Sequence, residues 1–463
     1  MQALMIKLDQ FIRRHRRAVL ALWLIAVVAA VPFAMRQSDD LTGGGYAVPG
    51  SQSDAVRAEV ERNFDRDARA TMAAVIVPEE GSAPSGVRAA IGALERAAAA
   101  ESHVALPAAA RDRALRRAGS AGTLVVPLAV AVDDQAAIDV AAGLRERLGL
   151  GDETAAAGAV STHLVGQGAL WARMQEIAKH DVKNAEKTGF PIVALILLAA
   201  FGSAAAAALP LALGFVSVLL TGGLIYALST AMDMSVFVTN MASMIGIGVA
   251  VDYSLFVLAR YREEIAAGKS PEVARSTAMA ASGVAVIFSG VTVIASLAGL
   301  FLIDATAIRS MAIGAILVVA VAIVASATLL PALISKLGHR AWSRGPVFRR
   351  LRHRTRDGNG FWGRWTGIVM RRPVIALVAA TAILLALAAP ALNLETTNGA
   401  LRQFDPQDET RQGFEAATAV TGPGASAPVR IVAETDDESA LASLRRTIGA
   451  DREVAKVSAA ADR

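Results

Sequence analysis

The chain has 463 residues, 54% of them hydrophobic, with a mean hydropathy of +0.45, and several apolar runs reach the length of a membrane helix, which excludes an ordinary soluble domain. It contains no cysteine and six scattered histidines, so a disulfide framework, a thiol nucleophile and a thiolate metal site are excluded. The net charge of +5 and a pI near 9.7 do not argue for nucleic acid. The positives concentrate between Lys336 and Arg372, eleven Lys and Arg against the single acid Asp357, flanked by apolar spans, where they read as a positive-inside signal over anionic lipid.

Taken in order, residues 1–17 open with a helix that sets Leu4, Met5, Leu8, Phe11 and Ile12 on one face, which predicts a short helix lying along the cytoplasmic interface. Arg13, Arg14, Arg16 and Arg17 follow, and 18–34 is the first span. A cleavable signal peptide is the competing reading, but Pro32 sits where a small cleavage residue would be wanted. An uncleaved span with a cytoplasmic N-terminus is expected.

Residues 35–187 form a polar extracytoplasmic segment in which short strands alternate with helices. Helices are expected over Ser53–Phe64, Ser85–Ala100 and Gln135–Leu148, and strands over Thr71–Val77, Leu124–Val132 and Thr162–Val165. That pattern predicts one sheet with helices against it, an α+β or α/β module. From Ala169 a helix runs through Lys187 directly into the second span.

Residues 188–335 are the membrane core, with spans at Gly189–Phe201, Ala204–Leu228, Met234–Ala259, Ser276–Ile303 and Ser310–Ser335. The basic cytoplasmic loop 336–372 follows, with Trp342, Trp362 and Trp365 as interface anchors, and then a seventh span at 373–392. Arg260, Arg262 and Lys269 fall inside and Asp233 and Asp304 outside, so every charged loop agrees with the positive-inside rule.

The tail repeats the beginning. FIRRHRRAVLALWLIAVVAAVPFA at Phe11 is similar to IVMRRPVIALVAATAILLALAAPAL at Ile368, and Ser53–Val77 corresponds to Asp408–Val432. Residues 393–463 therefore read as the incomplete start of a second outer domain. By the repeat, five further spans are expected, and the chain is expected to be a fragment or a truncated product.

The chemistry centres on MIGIGVAVDYSLFVLARYREE, Met244–Glu264. Asp252 is the one charged residue inside any of the seven expected spans. It lies eight residues before Arg260, roughly 12 Å deep at helical rise. A charge there costs at least about 2.5 kcal/mol and marks function by default. A carboxylate that takes up a proton sheds that cost, so helices can shift as it is neutralised. The competing reading is a structural polar group bonded to a neighbouring helix. Gly246, Gly248 and Ala250 lower the helix surface just before it and are expected to let helices pack closely.

These features resemble the MmpL branch of the resistance-nodulation-division (RND) transporters. Four pieces carry the likeness: GIGVAVDYSLFVLARYREE at Gly246, IFSGVTVIASLAGLFL at Ile287, IRSMAIGAILVVAVAIVASATLLPALI at Ile308 and FDPQDETRQGFEAATAVTGPGASAP at Phe404. The likeness is weakest between residues 80 and 160. It implies an RND-like α-helical transmembrane bundle with extracytoplasmic porter domains of ferredoxin-like type. It also implies proton-motive-force-driven export of lipids or other hydrophobic molecules across the bacterial plasma membrane. By the same resemblance Asp252 is the proton acceptor, Tyr253 its hydrogen-bonding neighbour and Ser289 a polar residue of the relay. Protons are the coupling ion and no cofactor or metal is expected. The expected partners are membrane lipids, a lipidic substrate and the missing C-terminal half or a partner subunit; an oligomer is left open, and no nucleic acid is expected.

An enzyme is not expected. Intramembrane aspartyl proteases need a pair of membrane aspartates where this chain has one, and no nucleophile elbow, zinc set or phosphate loop occurs. The alternative is a non-transporting module: a scaffold, a lipid-sensing subunit or a protein-export accessory.

Overall fold

The computed structural model describes residues 1–37, 50–63, 70–79, 82–119, 122–132, 136–151, 160–338, 361–393, 404–422 and 437–452, with isolated positions beside them. Two helices open the chain, α1 (Gln2–Arg14) and α2 (Arg16–Met35). The first falls where a short helix is expected. Met5, Asp9 and Ile12 are buried against the bundle, while Leu4 and Phe11 face outward. The predicted apolar face is split between protein and surroundings.

After α3 (Gln52–Asn63) comes the α+β unit. It comprises β1 (Ala70–Pro78), α4 (Pro84–Ala99), β2 (Val104–Ala105), α5 (Ala108–Arg117), β3 (Leu124–Val130), α6 (Ala136–Leu148) and β4 (Val160–Gly166). The strands lie in the order β2-β3-β1-β4, each neighbour antiparallel. Central β1 pairs Ala70 with Val130 through Ile76 with Leu124 on one side, and Met72 with Gly166 through Pro78 with Val160 on the other. Strand alternation then sends Met72, Ala74 and Ile76, with Leu124, Val126, Leu128 and Val130, to one face. Val87, Ile91 and Leu94 of α4 and Leu144 of α6 close over them as the core.

The strands and helices expected here are present, with ends moved by a residue or two. Sequence reading missed β2 and α5. Two residues make no strand signal, and α5 (AAARDRALRR) buries only Ala110 and Ala114, too few to show a periodic apolar stripe.

From β4 the chain passes without a loop into α7 (Gln167–Phe201), a single 35-residue helix. The membrane core follows as α8 (Ala204–Ser229), α9 (Phe237–Ala266), α10 (Pro271–Ala278), a π-helical turn at Met279–Gly283, α11 (Val284–Ala298), a 3₁₀ turn at Gly299–Leu302, and α12 (Thr306–Leu337). Among the described residues six stretches are long and apolar enough to span: 16–35, 204–229, 237–266, 271–302, 306–337 and 373–392. The expected second span is a shorter apolar stretch, Lys187–Phe201, forming the end of α7. The fifth begins earlier than Ser276, because Ser270 accepts from the Val273 N–H as an N-cap and Pro271 takes the first helical position.

Past the basic loop, α13 (Phe361–Arg371) leads into α14 (Pro373–Ala388) and a 3₁₀ turn at Ala389–Asn393, and none of α14 is buried. The repeat's helix is present as α15 (Glu409–Thr421), capped by Asp408, whose carboxylate accepts from the Thr410 and Arg411 N–H groups. It lies on the second face of the first sheet, Phe414 and Ala417 against Val75 and Val165. Of the strand expected after it, residues 423–428 and 430 lie outside the described residues, and 431–433 carry no strand. A last helix, α16 (Glu438–Gly449), is capped by Asp437.

Candidate functional site

The aspartate helix is placed by small residues. A Cβ added at Gly246 would lie 2.4 Å from Val318 Cγ2 on α12 and 3.1 Å from Val218 Cγ2 on α8, and one at Gly314 would lie 2.4 Å from Val238 Cγ2. Only glycine lets the three backbones approach this closely. Val238, Ala242, Gly246, Ala250, Tyr253, Val257 and Tyr261, recurring at three or four residues, form the buried face of α9. Of the three expected packing positions Gly246 and Ala250 lie on this face, and Gly248 does not. It sits two residues, about 200°, around the helix from each, and nothing lies within 4 Å of a Cβ built there. Gly248 therefore belongs to the open face of α9, with Met244, Asp252 and Phe256, all exposed.

Asp252 thus points away from the chain's own core. Among the described residues no hydrogen bond or ion pair reaches its carboxylate. Tyr253, about 100° further round, turns inward and is 7% exposed. Its hydroxyl is buried without a hydrogen-bond partner, within electrostatic reach of Asp252 and beside Ser289 of α11. Gly290 is what makes room for it: a Cβ there would be 3.1 Å from the phenolic oxygen and 2.3 Å from Ile323 Cδ1 of α12. Ser289 itself is exposed. The three residues read from sequence therefore cluster where α9 and α11 meet. Their arrangement leaves the Asp252 carboxylate and the Ser289 hydroxyl exposed, with the Tyr253 hydroxyl buried between the helices. Such a set can accept, hold and pass a proton.

Ion pairs hold the end of α9 away from the sheet. Arg260 reaches Glu264 at 2.7 Å and Lys269 meets the same carboxylate at 2.5 Å. Arg262 donates to the Phe201 carbonyl at 2.7 Å, capping α7, with its guanidinium 5.4 Å over the Phe201 ring.

Two buried charge sites were missed, and nothing in the linear pattern marks either, since their members are more than 230 residues apart. The first is Asp9 with Arg275, Nε to Oδ1 at 2.7 Å and Nη2 to Oδ2 at 3.3 Å. The second is where α15 meets the sheet. Arg145 donates to Glu409 at 2.5 Å and to Thr410 Oγ1 at 3.1 Å, and Arg173 to Asp408 at 2.8 Å. The Leu164 N–H donates to Glu409 Oε1 at 2.9 Å, and His163 Nδ1 donates to the Glu409 carbonyl at 3.0 Å. Burial pushes the His163 imidazole below its ordinary value, partly opposed by Glu409. Among the described residues no group of three or more His, Cys, Asp or Glu is placed to hold a metal ion.

The MMPL family model matches residues 47–393. The chain is 44% identical over 437 residues to the mycolic acid-containing lipids exporter MmpL11 of Mycolicibacterium smegmatis, an alignment covering 92% of this chain and 45% of that protein. It is 43% identical over 435 residues to the heme uptake protein MmpL11 of Mycobacterium tuberculosis, covering 93% and 45%. It is 28% identical over 298 residues to the trehalose monomycolate exporter MmpL3 of M. smegmatis, covering 59% and 29%. The chain thus spans about half the length of the curated MmpL11 relatives. With a family match across most of its length, six membrane-length apolar helices and the Asp-Tyr helix at their centre, this multi-pass chain belongs to the MMPL family.

Proposed function

We propose that the chain is part of a transporter that exports lipids or other hydrophobic molecules across the bacterial plasma membrane, driven by the proton motive force. One observation carries the reading: a single carboxylate, Asp252, sits mid-span on an open helix face, beside the inward hydroxyl of Tyr253. In this reading Asp252 takes up the proton, and Tyr253 and Ser289 carry its hydrogen-bonding path. Neutralisation removes the cost of a membrane charge and lets α9 move against its neighbours. The open face of Met244, Gly248, Asp252 and Phe256 is where a second membrane segment completes the relay. Lipid as cargo is supported by the relatives named as lipid exporters.

The membrane arrangement in this reading has seven spans, with Lys187–Phe201 as the second, and a cytoplasmic N-terminus. Its support is that Arg260, Arg262 and Lys269 lie at one end of the helices and Asp233 and Asp304 at the other. The porter unit is of ferredoxin-like type, a reading supported by the antiparallel order β2-β3-β1-β4.

The test is Asp252→Asn in the protein in its native membrane, following lipid appearing outside the cell. Export is expected to fall at least about tenfold, the change that one unmet 1.4 kcal/mol step would bring. Undiminished export would overturn proton coupling through Asp252 and favour a non-transporting scaffold, which has no need of the carboxylate. Uptake of haem in place of lipid export would overturn the cargo and direction while leaving the relay standing.

A further inference from the structure

The π-helical turn at Met279–Gly283 stands in the continuous stretch that leads from α10 to Ser289. A π turn puts one extra residue into a helix, and such turns are costly enough to be rare and to need support. One residue is about 100° of rotation. If the turn relaxed to α-helix, α11 would turn by that angle relative to α10, and Ser289 and Gly290 would no longer meet Tyr253. The turn is therefore a phase setting for α11.

What holds it is α1. Asp9 and Arg275 are 3% and 5% exposed and make the two-pronged pair described above, four residues before the π turn. On the other side of the turn, a Cβ built at Gly283 would lie 3.4 Å from Met5 Sδ. Met5 is itself buried, as are Met279 and Ser282 within the turn. The charged contact fixes α10 and the thioether fits the glycine of the turn, so both contacts of α1 bracket the extra residue. Arg275 is also within electrostatic reach of buried Tyr261 on α9, which ties the bracket to the aspartate helix.

We propose that α1 is a positioning clamp. Through Asp9–Arg275 and Met5 it holds the π turn and so sets the angle at which α11 presents Ser289 and Gly290 to Tyr253. A signal that lifts α1 would detune the site from the far end of the helix. The link to proton movement rests on the relay proposed above; the clamp does not, and is tested without it.

The chain has no cysteine, so introduced pairs report without background. In Gly290→Cys with Ile323→Cys the two Cβ atoms come within disulfide reach, about 3.5–4.5 Å, because the Gly290 Cβ position is 2.6 Å from Ile323 Cγ1. This pair forms only in the observed phase of α11. Gly246→Cys with Val318→Cys, where the glycine's Cβ position is 3.5 Å from Val318 Cβ, joins α9 to α12 without crossing the π turn and reports the fold alone. Asp9→Ala is expected to cut the yield of the 290–323 disulfide at least about fivefold, since it leaves a buried guanidinium unpaired, and to leave the 246–318 disulfide forming. Exchanging the charges, Asp9→Arg with Arg275→Asp, is expected to restore it. Equal yields with and without Asp9, loss of both disulfides together, or no recovery on exchange would each overturn the clamp. Neither disulfide yield measures export, so failure of the clamp and failure of the relay are distinguishable.

Discussion

At the scale of single residues, two glycines two positions apart divide the work of α9. Gly246 faces α12 at a distance where any side chain collides, whereas Gly248 has open space around it. Gly246→Ala is expected to destabilise the bundle by about 1–3 kcal/mol, the usual cost of overpacking. Gly248→Ala is expected to be neutral or to stabilise by up to about 1 kcal/mol through helix propensity. Thermal unfolding of the two variants in detergent compares them directly, and equal losses would mean the packing of α9 is misassigned. If the open face receives a second membrane segment, Gly248→Ala will impair export in spite of its stable fold. Asp252 shares that face, and its place there was only half legible in sequence. The motif marks the residue and its depth in the span, but helical periodicity is hidden where nearly every position is apolar, so which side the carboxylate faces is a property of the packed helices.

At the scale of elements, α15 covers a sheet more than 240 residues before it in the chain, and a buried imidazole sits in the contact. Docking favours neutral His163, because burial lowers its folded value below the ordinary 6.5. The stabilisation is thus fully present above that value and is lost as pH falls through and below it. Protection of residues 409–421 against amide exchange, relative to the intrinsic rate at each pH, should therefore fall as pH drops below about 6.5, and His163→Gln should flatten the dependence. Glu409→Ala should cost about 1.5–3 kcal/mol of docking, since it removes the buried carboxylate partner of Arg145 and leaves only Thr410 and the half-exposed Glu176; unaltered protection of α15 would refute the contact. The helix itself was readable from the repeat. Its position was not, because sequence repeats report similar elements and say nothing of which neighbour each packs upon. The strands were readable for the opposite reason: β1 and β3 are short apolar runs, a signal that does not depend on which neighbour covers either face.

At the scale of the whole molecule, a polar α+β unit and an apolar bundle meet through α7, the connection the sequence predicts from Ala169 onward. At 1.5 Å per residue its 35 residues measure about 52 Å, well beyond a hydrocarbon core of about 30 Å. One end grows out of β4 at Gly166, with φ 121°, and the other stops at Gly202, left-handed at φ 66°, so each end is a swivel built of a residue without a side chain. Between them runs one continuous helix, with Pro191 inside it. A tilt of about 5° at the membrane end would carry the sheet end sideways by some 4 Å over that length. Phase matters as much as length. One alanine inserted after Lys179 would turn the sheet by about 100° relative to the spans and should abolish export, whereas seven inserted residues, close to two full turns, should preserve more of it. If the proposed relay holds, the proton need never meet the cargo: neutralisation in the bilayer would reach the outer unit through this one helix.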